Sequence, residues 1–194
     1  MGVQKVGRGM LESASTLSES SRVCAPSRFP QACHQCVGQA ECLLGGLSPE
    51  TQRRLEGAVR ERGFKRHETL SSQGRQAEVL RVIKVGLVVL SQRGQDALPR
   101  PIAVLGRGAT LGKHGLLGEA DPFEAVAMSA GRVCEIAAAT ATALRAQDPR
   151  FDELLLRSHL QGLGQMVEWA HIARMPAVFD RVISTLLLFG QLQQ

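Results

Sequence analysis

The chain has 194 residues, 44% of them hydrophobic and 21% charged, with a formal net charge of +5 and a pI near 9.3. That balance is of an ordinary soluble protein able to bury one or two modest cores, and the positive charge is spread along the chain, so it permits a polyanion partner without indicating one. The first residues lack the apolar run of a secretory leader and no later run reaches the ~18 apolar residues of a membrane span, which predicts a cytoplasmic protein with no membrane partner.

Residues 1–32, rich in Ser, Gly and charge and carrying Pro26 and Pro30, read as a flexible arm. Residues 33–47 hold a cysteine-rich segment. The run SPETQRRLEGAVRERG predicts a short amphipathic helix, with Ser48 as its cap, Pro49 at its first position, Leu55, Ala58 and Val59 on one face and Gly63 as its stop. Within residues 48–148 the pattern then turns to the β-rich runs VLRVIKVGLVVLSQ, PIAVLG, EAVAMSA and RVCEIA, separated by Gly, Pro and Asp. This spacing predicts a small antiparallel sandwich or barrel, so the fold class is mainly β with flanking helices.

Helical spacing returns after Thr140, with a short helix near 140–147, a break at Pro149 and a long helix over 149–175 closed by Pro176. Along it Leu156, Leu160, Leu163, Val167 and Ala170 recur at steps of four and three, the period of a coiled-coil seam; burial of this helix against its own domain is the competing reading. A second stripe, Leu155, Met166, Trp169 and Ala173, lies beside the first and would pack on the β-domain or widen the seam. A terminal apolar helix, from Val178 to Phe189, lies in residues 176–194.

Five cysteines in a reducing compartment point to metal ligands or redox centres more than to disulfides. The run CHQCVGQAEC sets Cys33, Cys36 and Cys42 close enough to face one inorganic centre, and Cys134, in the strand-like GRVCEI, can supply a fourth thiolate. Iron–sulfur clusters need such a set. Zinc competes for the same four thiolates, although its structural sites usually pair two short knuckles and only one is present. Cys24 is the spare, and Val37, Leu43, Leu44, Val133 and Ile136 are candidate hydrophobic cover.

The CxxCxxxxxC run, the SPE-initiated helix, VIKVG, the Gly-rich ATLGKHGLLG, VCEI, DPRF and the long helix occur in an order that resembles the fumarate and nitrate reduction regulator (Fnr) branch of the Crp/Fnr superfamily. The resemblance extends from Cys33 to about Phe189. It implies a cyclic-nucleotide-binding-type β-roll followed by a dimerisation helix, with an oxygen-labile 4Fe-4S cluster on the residues matching Cys33, Cys36, Cys42 and Cys134. Oxygen would convert that cluster to a 2Fe-2S form and weaken a homodimer.

The winged helix-turn-helix of the resembled family has no counterpart here, so residues 176–194 read as its stub, and DNA would be reached only through a domain absent from this chain. Pairing with a full-length relative, as a heterodimer, is then a further expectation. Seam positions that could host a buried acid carry Leu163, Met166 and Val167, which predicts ready pairing and weak gating by the cluster.

Nucleotide-binding members of the superfamily resemble one another in a Gly-Glu pair and a later Arg followed by Ser or Thr. Here Gly112–Lys113 and Phe123–Glu124 stand in their place, and an acid at the phosphate grip argues against a cyclic nucleotide. The string GRGATLGKHG has neither the spacing nor the hydroxyl of a phosphate loop, so its glycines read as turns. His67, His114, His159 and His171 lie far apart with no nucleophile motif beside them, and no enzyme activity is expected.

Overall fold

The structure, a computed structural model, describes residues 42–193, so the arm with Cys24 and the proposed ligands Cys33 and Cys36 lie outside the described residues, as does Val37. Ser48 caps the first helix as expected: its Oγ accepts from the Thr51 amide at 3.2 Å, and Pro49 occupies the first turn. Helix α1 (Pro49–Leu55) is shorter than its sequence pattern implies. Gly57 turns the chain at φ 91°, and Arg60–Phe64 form strand β1, which places Gly63 within a strand and not at a helix stop. The helix pattern loses there because these five residues gain an antiparallel ladder along the last strand, from Arg60↔Glu135 to Phe64↔Gly131.

Strands β2 (Thr69–Ser71), β3 (Val79–Val85), β4 (Val88–Arg93), β5 (Pro99–Leu105), β6 (Thr110–Leu111), β7 (Glu124–Ala127) and β8 (Gly131–Ala137) complete two antiparallel sheets, ordered β1-β8-β3-β6 and β2-β7-β4-β5. This is the expected β-roll with helices after it. The run VLRVIKVGLVVLSQ is two strands divided at Gly86, whose φ of 108° and close neighbours, Phe64 Cζ 2.9 Å and Ala130 O 3.1 Å from where a Cβ would lie, leave no room for a side chain.

Strand alternation gives the first sheet two apolar faces. Inside the roll, Phe64, Ile83, Val88, Leu105, Ala125 and Val133 form one core. Outside it, Leu80, Val82 and Ile136 pack with Leu43, Leu44, Leu144 and Phe151 in a second. Helix α2 (Ala138–Gln147) follows β8 directly, and α3 (Pro149–Arg174) is capped by Asp148, whose carboxylate accepts from the Arg150 amide at 3.0 Å.

Helix α3 is about 39 Å long at 1.5 Å per residue. Its base is held by Phe151, fully buried in the second core, where truncation to alanine costs about 3–5 kcal/mol. Higher up, the second stripe behaves as read except at its end: Leu155 and Met166 pack on the two cores and Trp169 donates to Pro101 on β5, but Ala173 is exposed. The seam proper is solvent-facing, with Leu156 59%, Leu160 58%, Leu163 46% and Val167 69% exposed and Ala170 half-buried. Helix α4 (Val178–Gln191) buries Leu188 and leaves most of its other large apolar side chains exposed. Among the described residues no helix is long and apolar enough to cross a membrane.

Candidate functional site

Cys42 enters a tight turn in which the Gly46 amide donates to the Cys42 carbonyl at 3.0 Å. Two features fix this turn. The buried Gln52 amide donates from Nε2 to the carbonyls of Gly45 (2.7 Å) and Leu47 (2.9 Å), and Leu43, Leu44 and Leu47 sink into the second core. Gly46 then lies against α3, since a Cβ on it would stand 2.7 Å from Leu154 Cδ2.

Cys134 lies in the middle strand of three, opposite Glu61 on β1 and Val82 on β3. Although 92 positions apart in sequence, Cys42 and Cys134 are both half-buried and both pack against that same second core, as do Leu154 and Leu155 of α3. Of the candidate cover, Leu43, Leu44 and Ile136 belong to this cluster, whereas Val133 faces the other core, because neighbouring strand residues point to opposite faces. The Glu61 carboxylate accepts from Lys84 Nζ (2.8 Å) and Arg132 (2.9 Å), so a charged cluster on β1, β3 and β8 borders Cys134 on its strand neighbours. Among the described residues no three His, Cys, Asp or Glu side chains converge as a metal site.

A second feature escaped sequence reasoning. Between the roll and α3 a cavity leaves about 70 Å³ in which the centre of a water molecule can sit. Gly112, at φ 80°, turns the chain into a 3-10 helix over Lys113–Leu117 and aims Lys113 at α3, where its Nζ donates to the Ser158 carbonyl at 3.3 Å. Burial pushes the Lys113 ammonium below its ordinary range, with the negative charge of Asp121 opposing the shift. Asp121 is itself buried; it accepts from Ser71 Oγ and from His114 Nδ1 at 3.1 Å, so its oxygens are engaged by the protein. Three side-chain atoms at this cavity are buried without a hydrogen-bond partner: Thr110 Oγ1, Ser158 Oγ and Gln165 Oε1.

The structure corrects one step in the sequence argument. Glu124 does not line the cavity: Phe123 and Ala125 do, while Glu124 pairs with Arg93 at 2.8 Å. No acid therefore repels a phosphate from that position; what the lining lacks there is a cation, Phe123 standing in its place. The histidines also come closer than their spacing implied, since His114 and His159 both line the cavity. Gly108 and Gly112 sit at turns, at φ 79° and 80°, as expected of the glycine-rich string.

Residues 61–148 match the family model described as the cyclic nucleotide-binding domain. The fold is that of a cyclic nucleotide-binding domain. A putative cyclic nucleotide binding protein from Ruegeria pomeroyi superposes with a TM-score of 0.53 at 23% identity, over 74% of this chain and 65% of that one. The catabolite activator protein of Thermus thermophilus superposes with a TM-score of 0.53 at 22% identity, over 67% and 63%. A cyclic nucleotide-binding domain from Methylobacillus flagellatus gives 0.51 at 23%, over 61% and 67%. The chain thus spans less than two thirds of the first two, and at these identities the likeness is one of fold. A comparison with curated protein sequences finds no match.

Proposed function

We propose that this chain is the sensing part of a non-enzymatic Crp/Fnr-type transcriptional regulator, in which Cys33, Cys36, Cys42 and Cys134 hold an oxygen-labile 4Fe-4S cluster that biases dimerisation through α3. The observation that carries this reading is the convergence of Cys42 and Cys134 on one apolar cluster at the base of α3. The donor chemistry fits: both described donors are thiols in a largely apolar setting, and with no third described donor beside them a complete site draws on the CxxC pair. When bound, the cluster supplies a redox centre that reacts with oxygen and changes its charge and shape. The protein's part is to hold the Cys42 turn against Leu154, so that a shift of the turn acts on the long helix.

Dimerisation is the output this reading assigns to the chain. Its support is the exposed stripe Leu156, Leu160, Leu163 and Val167, which a second copy would cover. Among the described residues Lys113 is the one Lys or Arg in the cavity lining, which speaks against cyclic AMP as the effector in this reading.

Anaerobic purification followed by an absorbance spectrum and iron and sulfide analysis tests the reading. About four irons per chain are expected. Cys134→Ser should abolish the cluster and Cys24→Ser should keep it, whereas stoichiometric zinc in place of iron overturns the proposal.

A further inference from the structure

We infer that the outward apolar face of α4 is a docking surface for a second copy of this chain, supplying contact area that the α3 seam lacks. The inference rests on the proposed reading of α3 as a dimer helix and adds a surface which that reading leaves out.

The inner stripe of α4 fixes its rotation. Near its start, Arg181 donates to the Met175 carbonyl at 3.1 Å and Ser184 Oγ donates to Met175 Sδ at 3.6 Å. Near its end, Leu188 is buried and the Arg107 amide donates to the Leu192 carbonyl at 3.2 Å. Gly106 permits that approach, since a Cβ on it would stand 2.2 Å from the same carbonyl oxygen. These inner positions recur at steps of three and four, so they occupy one side of the helix. The other side carries Val178, Phe179, Val182, Ile183, Leu186 and Leu187, between 39% and 73% exposed, and the one exposed charge on α4 is Asp180.

Size shows that this face is an interaction surface. Its six side chains present roughly 600 Å² of apolar surface, at the upper end of the about 300–600 Å² that the largest patch of a typical monomer reaches. The exposed seam residues Leu156, Leu160, Leu163 and Val167 present roughly 400 Å², about half of the ~800 Å² that a stable dimer buries on each copy. The two surfaces together come to roughly 1,000 Å², which is enough.

Position and charge favour a second copy as the occupant. Only Met175, Pro176 and Ala177 separate α3 from α4, so α4 begins within about 14 Å of the end of α3 and within reach of a copy paired there. A two-fold dimer sets the same patch of each copy into one interface, and a face with so little charge meets itself without like-charge repulsion.

Sedimentation velocity of the full chain, purified anaerobically, at about 1 and 100 μM tests the inference, with hydrogen exchange at the same two concentrations. The native chain should dimerise, and the amides of Val178–Gln191 should exchange more slowly at the higher concentration. Leu186→Glu and Phe179→Glu, both at exposed positions, should each weaken dimerisation about tenfold or more. Exchange in the native chain needs no variant to fold. If Leu160→Glu breaks the dimer while both α4 variants pair like the native chain, the inference is overturned and the seam survives. Weakening by the α4 variants but not by Leu160→Glu would keep α4 and remove the seam. A chain monomeric at about 100 μM, or one whose α4 is protected by phosphatidylglycerol vesicles and not by a second copy, would also overturn it.

Discussion

The indole Nε1 of Trp169 donates to the carbonyl oxygen of Pro101 at 3.0 Å, tying the upper half of α3 to strand β5. Trp169→Phe keeps an aromatic ring but removes this bond and part of the indole surface, so a loss of at least about 1 kcal/mol is expected, a fall of roughly 2–4 °C or more in Tm for a chain of this size. Thermal unfolding followed by circular dichroism reads it. An unchanged Tm would mean that β5 does not hold the helix.

Glu135 stands between two guanidinium groups, accepting from Arg62 Nε at 3.0 Å and Arg81 Nε at 2.8 Å. Burial alone would raise its carboxyl, but the hydrogen bonds and charges of Arg62 and Arg81 outweigh that and hold it below the usual range. The folded protein therefore binds this proton less tightly than the unfolded chain. The contribution is complete above about pH 4.3 and disappears as pH falls through the lower folded value. Glu135→Gln should cost about 1–2 kcal/mol at pH 7, with the gap to the native chain closing in acid. Denaturant titrations between pH 7 and pH 3 that show a constant gap would contradict the assignment.

Lys113 has the opposite sign. Its folded pKa is lowered, so the charged form destabilises the fold at neutral pH, and this cost is relieved as pH rises from the folded value towards about 10.4. Lys113→Met should raise Tm at pH 7, and by less at pH 9.5 than at pH 7. A variant less stable than the native chain at pH 7 would show that the ammonium is better satisfied than its single acceptor indicates.

Leu160 lies 58% exposed in the seam. Leu160→Glu should change the stability of the monomer by less than about 0.5 kcal/mol while weakening self-association about tenfold or more. Sedimentation velocity of the two chains at equal concentration measures the difference, and identical profiles would count against the proposed seam.

Patterns with a local cause were readable from residues alone. Ser48 and Pro49 announced α1, Pro149 and Pro176 bracketed α3, and alternation in VCEI put Cys134 on a strand. Gly63 misled because the residues around it have helical spacing, and only β8, more than sixty positions on, turns them into a strand. The cavity was illegible for a related reason. Its polar atoms come from β6, the turn after it and two separate turns of α3, and a missing hydrogen-bond partner has no sequence pattern.

In the proposed reading, the contact between Gly46 and Leu154 is the short arm of a lever. Leu154 lies near the fixed end of α3, and Arg174, at the other end, is about 30 Å further along the axis. A tilt of about 5° imposed at the Gly46 contact would carry the far end sideways by about 2.6 Å, roughly half the pitch of a helix. A methyl group added at Gly46 would meet only the flexible end of the Leu154 side chain, so Gly46→Ala reads how tightly the Cys42 turn and the long helix are packed together.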